Sequence, residues 1–356
     1  MHKTLSIVVP TYNMQDFLNR CLDSLVVHDE QLMKQLEVLV VNDGSKDQSS
    51  EIAHSYESRF PQTFRVIDKE NGNYGSCINR GLQEAQGDYF RILDADDYVD
   101  LDALASMLHL LNSIDVDLVF TRCIHRDVNN HILSNKPYPA SIKKHTRVVA
   151  KDFDAMEVGY WPFTMHMMTY KTSVLREIHL VLSEGISYTD NEFVFYPLEN
   201  VRTMWFEDIA LYQYTIGREG QTMTPALMNK RIGHFETILK RMFVYYEEHR
   251  GLIQGAILSN QQGVIFSVMH WMYFLLLHTN ADVATIRVLR ELDGYTDKYV
   301  EFKEKVASIE QYGFRYVDYW HQTGRNCKHP ITVIRMQMSR IFRKIVSLRA
   351  KKLEIE

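Results

Sequence analysis

Cysteine is scarce in this sequence: its 356 residues include four, Cys21, Cys77, Cys123 and Cys327, and no two form a C-x-x-C pair. That scatter offers neither a disulfide framework nor a structural zinc site, and it fits a reducing compartment, so a cytoplasmic protein is expected. Long apolar runs are missing too. The most apolar stretch, "GVIFSVMHWMYFLLL" (Gly263 to Leu277), falls short of the roughly 20 residues that a membrane-spanning helix needs and predicts a buried helix. The opening "MHKTLSIVVPTYN" has neither the length nor the small-residue cleavage site of a secretory signal. No G-x-G-x-x-G follows the first apolar run and no G-x-x-x-x-G-K-[ST] occurs anywhere, which weakens dehydrogenase and P-loop readings. There is no internal repeat.

Excess charge is also small overall. The net of −5 gives no reason to expect a nucleic-acid partner, but the charge is unevenly spread. Residues 325–352 hold nine Lys and Arg and no acid; outside them 31 basic side chains meet 45 acidic ones, a net of −14. The tail is a separate electrostatic object. With 46% hydrophobic and 24% charged residues, the chain has the composition of a globular protein with a sizeable core.

Over the first 120 residues short β-rich runs alternate with helical patterns. The expected strands are Leu5 to Val9, Leu36 to Val41, Phe64 to Ile67, Tyr89 to Leu93 and Val116 to Phe120. The expected helices are Met14 to Val27, Asp47 to Phe60, Gly75 to Gln86 and Leu101 to Leu111. This alternation predicts a mostly parallel sheet with helices on both faces. Arg122 to Thr164 reads as an insertion or hairpin, "MHMMTYK" (165–171) and "IALYQYTI" (209–216) as strands, "TDNEFVFYPLEN" (189–200) as opening a helix, and the chain from Pro225 as mostly helical.

In such sheets ligands bind beyond the carboxyl ends of the strands. The residues there are "PTYN" (10–13), "NDGSKD" (42–47), "DKENGNYG" (68–75) and "DADD" (94–97), all polar, acidic or glycine-bearing, and able to line one cleft. Asp94 and Asp96 could hold a hard divalent cation, since carboxylate oxygens suit Mg²⁺ and Mn²⁺; equally, Asp97 or Asp100 could cap the helix starting near Leu101. Ser45 with Gln48, and Thr189 with Glu192, fit capping boxes, whereas Asp43 stands at a strand end where an acid can accept from a ribose hydroxyl or a base N–H.

Taken together, "SIVVPTYN", "VVNDGSKDQS", "KENGNYGSCINRGL", "ILDADDYVD" and "YTDNEF" occur in an order and spacing that resembles family 2 glycosyltransferases of the bacterial cell-surface polysaccharide type, over roughly residues 4–222. The resemblance implies an α/β GT-A fold, Rossmann-like, followed by a C-terminal mostly helical region. It implies that Pro10, Thr11, Tyr12 and Asp43 hold the nucleotide of a nucleoside-diphosphate sugar, most often uridine, that Asp94 contacts donor sugar or ribose, and that Asp96, with Asp94, ligates Mn²⁺ or Mg²⁺. Asp97 is then a supporting acid. Where many relatives have Ala-Arg-Asn, Ile78 replaces the Arg and Asn79 remains as a donor-side residue. Where they have Glu-Asp, this chain has Thr189 and Asp190, and Asp190 is the implied general base of an inverting transfer to a hydroxyl acceptor. His166 and Arg218 are weaker candidates for the acceptor side and the diphosphate.

Expected domains are a catalytic unit over 1–224, a helical region over 225–324 and a basic amphipathic tail over 325–356. In the tail, Ile331, Ile334, Met338, Ile341, Phe342, Ile345 and Leu348 share a helical face and basic residues crowd the rest. Such a helix suits either an anionic membrane surface, as a lipid-linked acceptor at the inner face of the cell membrane would require, or packing on the protein's own core or on a partner subunit in an oligomer. Two other functions compete: a non-catalytic nucleotide-sugar binder or scaffold, and a sugar nucleotidyltransferase, which should carry a glycine-rich basic loop where "PTYNMQDF" stands. No Q-x-x-R-W occurs, which disfavours a processive synthase and favours addition of one sugar per encounter.

Overall fold

The computed structural model describes residues 2–218, 220–279 and 282–353, with the side chains of 341–343 and 345–353 outside the description. Four strands begin the fold: β1 (Lys3–Thr11), β2 (Leu36–Asn42), β3 (Phe64–Asp68) and β4 (Gly87–Ile92). All seven residues of β2 and eight of the nine in β1 are buried, as the largely apolar strands of a sheet covered on both faces must be. Between these strands run α1 (Gln15–Asp23), α2 (Glu30–Gln35), α3 (Ser49–Arg59) and α4 (Asn73–Glu84). The first helical pattern therefore ends four residues early: Asp29 caps a separate α2, its carboxylate accepting from the N–H groups of Gln31 and Leu32. Helix α4 packs so closely on β1 that a Cβ on Gly81 would lie 2.5 Å from Val8 Cγ2.

The remaining strands are β5 (Tyr98–Val99), β6 (Leu118–Phe120), β7 (Cys123–Asp127), β8 (Ile132–Ser134), β9 (Arg147–Val149), β10 (Met168–Lys171), β11 (Thr203–Phe206) and β12 (Tyr212–Ile216). Among the described residues they form an eight-stranded sheet, β3-β2-β1-β4-β10-β6-β11-β9, and a four-stranded one, β5-β12-β7-β8. Strands β3, β2, β1 and β4 are mutually parallel; β10 runs antiparallel to β4 and β6. The expected hairpin is β7–β8, and "MHMMTYK" enters β10 through a 3₁₀ turn at Met165–Met167. From β1 the chain steps outward to β2 and β3, then returns to β4 on the other side of β1. Strand order reverses between β1 and β4, and their carboxyl ends flank the crevice where such sheets bind ligands.

Further helices are α5 (Leu101–Leu111), α6 (Ala155–Val158), α7 (Thr172–Glu177), α8 (Asp190–Phe195), α9 (Pro225–Lys230), α10 (Ile232–His249), α11 (Gly255–Leu277), α12 (Val283–Lys298), α13 (Val300–Ala307), α14 (Tyr316–Thr323) and α15 (Pro330–Leu353). Asp100 caps α5 through Ala103 N–H at 3.0 Å. Two compact units result. One holds both sheets, running to Gln221 and including Arg241–Val264; the other comprises Thr222–Lys240 and the chain from Ile265 onward. In α11, Ile265, Val268, Met269, Met272 and Leu276 are buried, as the apolar run requires, and among the described residues no helix is long and apolar enough to cross a membrane.

Candidate active site

The loops at the carboxyl ends of β1 and β2 are fastened to each other by side chains. Asn13, at φ 53°, donates its N–H to Ser45 Oγ (3.0 Å) and accepts Lys46 N–H on Oδ1 (2.8 Å); Ser49 Oγ accepts from Met14 N–H (2.7 Å), and Asp47 from Gln15 N–H (3.0 Å). Ser45 is thus engaged by the loop after β1, and the expected capping box with Gln48 does not form; Gln48 itself is the N-cap residue of α3 and makes no side-chain cap. Gly44, at φ 73°, supplies the left-handed turn between Asp43 and Ser45. Pro10 and Thr11 end β1, Thr11 is buried with its hydroxyl on Val9 carbonyl, and Tyr12 is 46% exposed.

Asp43, one residue past β2, is buried. Its Oδ1 accepts from Lys69 Nζ (2.5 Å) and Gly72 N–H (2.9 Å), and its Oδ2 from Asn73 N–H (2.9 Å). It therefore ties the β3–α4 loop to the β2 end. Lys69, which sequence reading passed over, also donates to Ser76 Oγ at 2.9 Å. Asn79 holds a different segment: its amide donates to Leu182 carbonyl (2.9 Å) and Glu184 (2.9 Å) and accepts from Leu182 N–H (2.8 Å), so none of its hydrogen-bond partners belongs to the acidic cluster.

The acids after β4 divide by partner. Asp94 accepts from Tyr74 OH at 2.7 Å, and its N–H donates to Tyr212 OH at 3.2 Å. Tyr212 in turn donates to Asp97 Oδ2 at 2.8 Å, and Thr215 N–H reaches Asp97 Oδ1 at 2.7 Å, so β12 seats Asp97 from below. Asp96 pairs with Arg218, whose guanidinium also lies 5.3 Å from the Phe17 ring, while the Asp96 carbonyl accepts from Arg20 at 2.8 Å. Burial, then the neighbouring Asp96, raises the Asp94 carboxyl to about 7 and lifts Asp97 well above the usual carboxylate range. The cluster is short of positive charge, and a carboxylate in that position either protonates or gains a cation.

His166 stands beside it, Nε2 4.0 Å from Asp94 Oδ2, its ring packed at 4.9 Å from Tyr212 and 4.8 Å from Tyr214. Burial, with His125 and Arg91 adding to it, lowers its imidazole to about 3, so the ring is neutral at pH 7 and able to ligate. Ligand atoms of Asp94, Asp97 and His166 lie within 4.8 Å of one another, a spacing suited to one cation; Asp96 faces Arg218 instead. Beneath them Arg91, which has no signal in the sequence beyond its place in β4, is completely buried. It donates to Thr169 Oγ1 (2.8 Å), Thr121 Oγ1 (3.3 Å) and the His166 carbonyl, with Tyr212 5.7 Å away.

Asp190 is the first residue of α8, after Tyr188 at φ 68°. Burial raises its carboxyl to about 6 against two backbone N–H groups that lower it, and its charge acts on Asp94, Tyr74 and Tyr214, which places it on the same cleft. The capping box expected beside it is absent. Thr189 Oγ1 is buried without a hydrogen-bond partner, and Glu192, fully buried, accepts from Ser183 N–H (2.7 Å) and Ser183 Oγ (2.9 Å) and pairs with Arg241 at 3.2 Å. Tyr74, inside "NGNYG", is the residue that links α4 to the acids, and its phenol beside a glycine-rich helix start was the available signal.

The sequence profile of the family described as Glycosyl transferase family 2 matches residues 6–177. An uncharacterized glycosyltransferase of Rickettsia typhi is 26% identical over 229 residues, covering 63% of this chain and 67% of that one. An uncharacterized glycosyltransferase of Bacillus subtilis is 42% identical over 95 residues, and the match spans about a quarter of each chain, 27% and 26%. The crystal structure of S. aureus TarS 1-349 in complex with UDP-GlcNAc shares the fold, with a TM-score of 0.53 at 18% identity, covering 90% of this chain and 92% of that one.

Proposed function

We propose, from the premise that the chain belongs to glycosyl transferase family 2 and has the GT-A fold, that it transfers a sugar from a nucleoside-diphosphate sugar to an acceptor hydroxyl with inversion at the anomeric carbon. The observation that carries this reading is the convergence of Asp94, Asp96, Asp97 and Asp190 on one cleft at the crevice between β1 and β4, with Asp43 and Tyr12 at neighbouring strand ends. A UDP-sugar donor is favoured because the solved neighbour binds UDP-GlcNAc. Pro10, Thr11, Tyr12 and Asp43 form the nucleoside side, and Asp94 the sugar side. Asn79, through its hold on Leu182, shapes the donor side indirectly.

Asp190, ionised at neutral pH with its carboxyl near 6, accepts the proton of the acceptor hydroxyl as that oxygen attacks the anomeric carbon and the bond to the diphosphate oxygen breaks. A single base opposite the leaving group gives inversion. Asp96 and Asp94 would hold Mn²⁺ or Mg²⁺, with Asp97 and His166 offering further ligand atoms; the charge deficit of the cluster fits a divalent cation. When bound, the ion supplies positive charge to the departing diphosphate. Arg218, paired with Asp96, stands where its guanidinium can also meet the diphosphate charge. The acceptor is a sugar or a lipid-linked sugar in polysaccharide or glycolipid assembly, met at the inner face of the cell membrane.

The test is incubation with a panel of nucleotide sugars and Mn²⁺, with and without candidate acceptors, reading release of nucleoside diphosphate alongside equilibrium donor binding. Turnover of one donor is expected. Binding without turnover under every acceptor would make the protein a nucleotide-sugar binder, and no binding at all would remove the reading.

A further inference from the structure

Helix α15 is attached to its own unit by its polar side. Ser339 Oγ donates to the Tyr312 carbonyl at 2.8 Å, Arg335 stacks 4.8 Å from the Tyr319 ring and Arg340 5.2 Å from the Tyr312 ring, and Thr332 is completely buried. On the opposite side Ile331, Ile334 and Met338 are 41%, 56% and 65% exposed. A helix packed on a protein core normally buries its apolar stripe, and this one presents its stripe outward. The same stripe continues in the sequence through positions 341, 345 and 348, whose side chains lie outside the described residues.

We propose that this outward face of α15 is a docking surface for an anionic lipid bilayer. Charge decides the occupant. Between residues 325 and 352 there are nine cations and no acid, and of the described ones Arg335 and Lys344, both exposed, lie on opposite flanks of the stripe. The stripe's alternating spacing of three and four residues would also suit a coiled coil with a second copy. Two such helices, however, would set cation against cation along both edges, which disfavours pairing. A leaflet carrying anionic headgroups offers an apolar layer for the stripe and phosphates for both flanks at once. This binding is independent of sugar transfer, so the two readings fail separately.

The experiment is co-sedimentation of the full chain with vesicles of phosphatidylcholine alone and of phosphatidylcholine with 30% phosphatidylglycerol, at low and high salt. Binding to the anionic vesicles alone, weakened by salt, is expected. The Ile334→Asp/Met338→Asp variant should lower the bound fraction by about tenfold or more, since two buried apolar groups become charged at the interface. The exposed positions leave its circular dichroism and melting unchanged. Lys328→Glu/Lys344→Glu should raise the vesicle concentration needed for half binding by a similar factor. Equal binding to both vesicle types, an unaffected stripe variant, or a wild-type dimer that the stripe substitutions convert to monomer would each overturn the proposal.

Discussion

Replacing Asp190 by Asn separates catalysis from stability in opposite directions. Burial holds the carboxyl at about 6 against an ordinary 3.8, a gap worth about 3 kcal/mol at most. Because the folded-state value is the higher one, the favourable contribution belongs to the protonated form. It is complete below about pH 3.8 and is lost as the pH rises through 6. At pH 7 the wild-type protein bears that cost in full, whereas an Asn, which carries no charge, does not. Asp190→Asn should therefore melt roughly 3–6 °C higher at pH 7 and no higher at pH 4. The same substitution removes the only proposed proton acceptor, so kcat should fall by about 10²- to 10⁴-fold while donor binding barely changes. In the wild type, with a base titrating near 6, kcat should drop about tenfold between pH 7 and pH 5. Scanning calorimetry at the two pH values, with nucleoside diphosphate release across the pH range, reads all three. A variant that turns over normally refutes the assignment of the base; one that loses activity and also melts lower at pH 7 refutes the account of its burial.

Asp96→Ala should weaken Mn²⁺-dependent donor binding by tenfold or more in calorimetry, and Arg218→Gln should instead raise Mn²⁺ affinity in the absence of nucleotide, because the guanidinium no longer competes for Asp96; unchanged Mn²⁺ titrations in Arg218→Gln would refute the competition. Tyr74→Phe removes a hydrogen bond that lowers the Asp94 carboxyl, so Asp94 should titrate above about 7 and the pH profile of donor binding should move to the alkaline side; a superimposable profile counts against the role of Tyr74. Lys69→Met leaves the buried Asp43 carboxylate without its cation and should cost about 3 kcal/mol in urea unfolding, and a midpoint within error of wild type would show the pair to be idle.

Much of the first half of the fold is legible in the sequence, since each parallel strand is a short β-rich run and the crossover helices between them have their own pattern. The strand-end loops follow from that alternation without any long-range information. What failed were local devices whose side chains found distant partners. Ser45 was captured by Asn13, and Glu192 by Ser183 and Arg241, so both capping boxes dissolved although their spacing was right. The strands after residue 120 were legible only in part, because β9 has three residues, and β10 follows a 3₁₀ turn. Their pairing depends on neighbours far along the chain.

Sequence by itself determined the alternation that makes the sheet and which acids stand at the strand ends, because period, turn chemistry and short motifs are properties of adjacent residues. Tertiary structure alone decided how those acids differ. Asp96 meets Arg218 from 122 positions away, Asp97 is seated by Tyr212 and Thr215 on β12, and Asp94 is held by Tyr74 on α4. Three carboxylates that repel one another take up distinct states only when burial and partners make their environments unequal, and both arise from the folded chain.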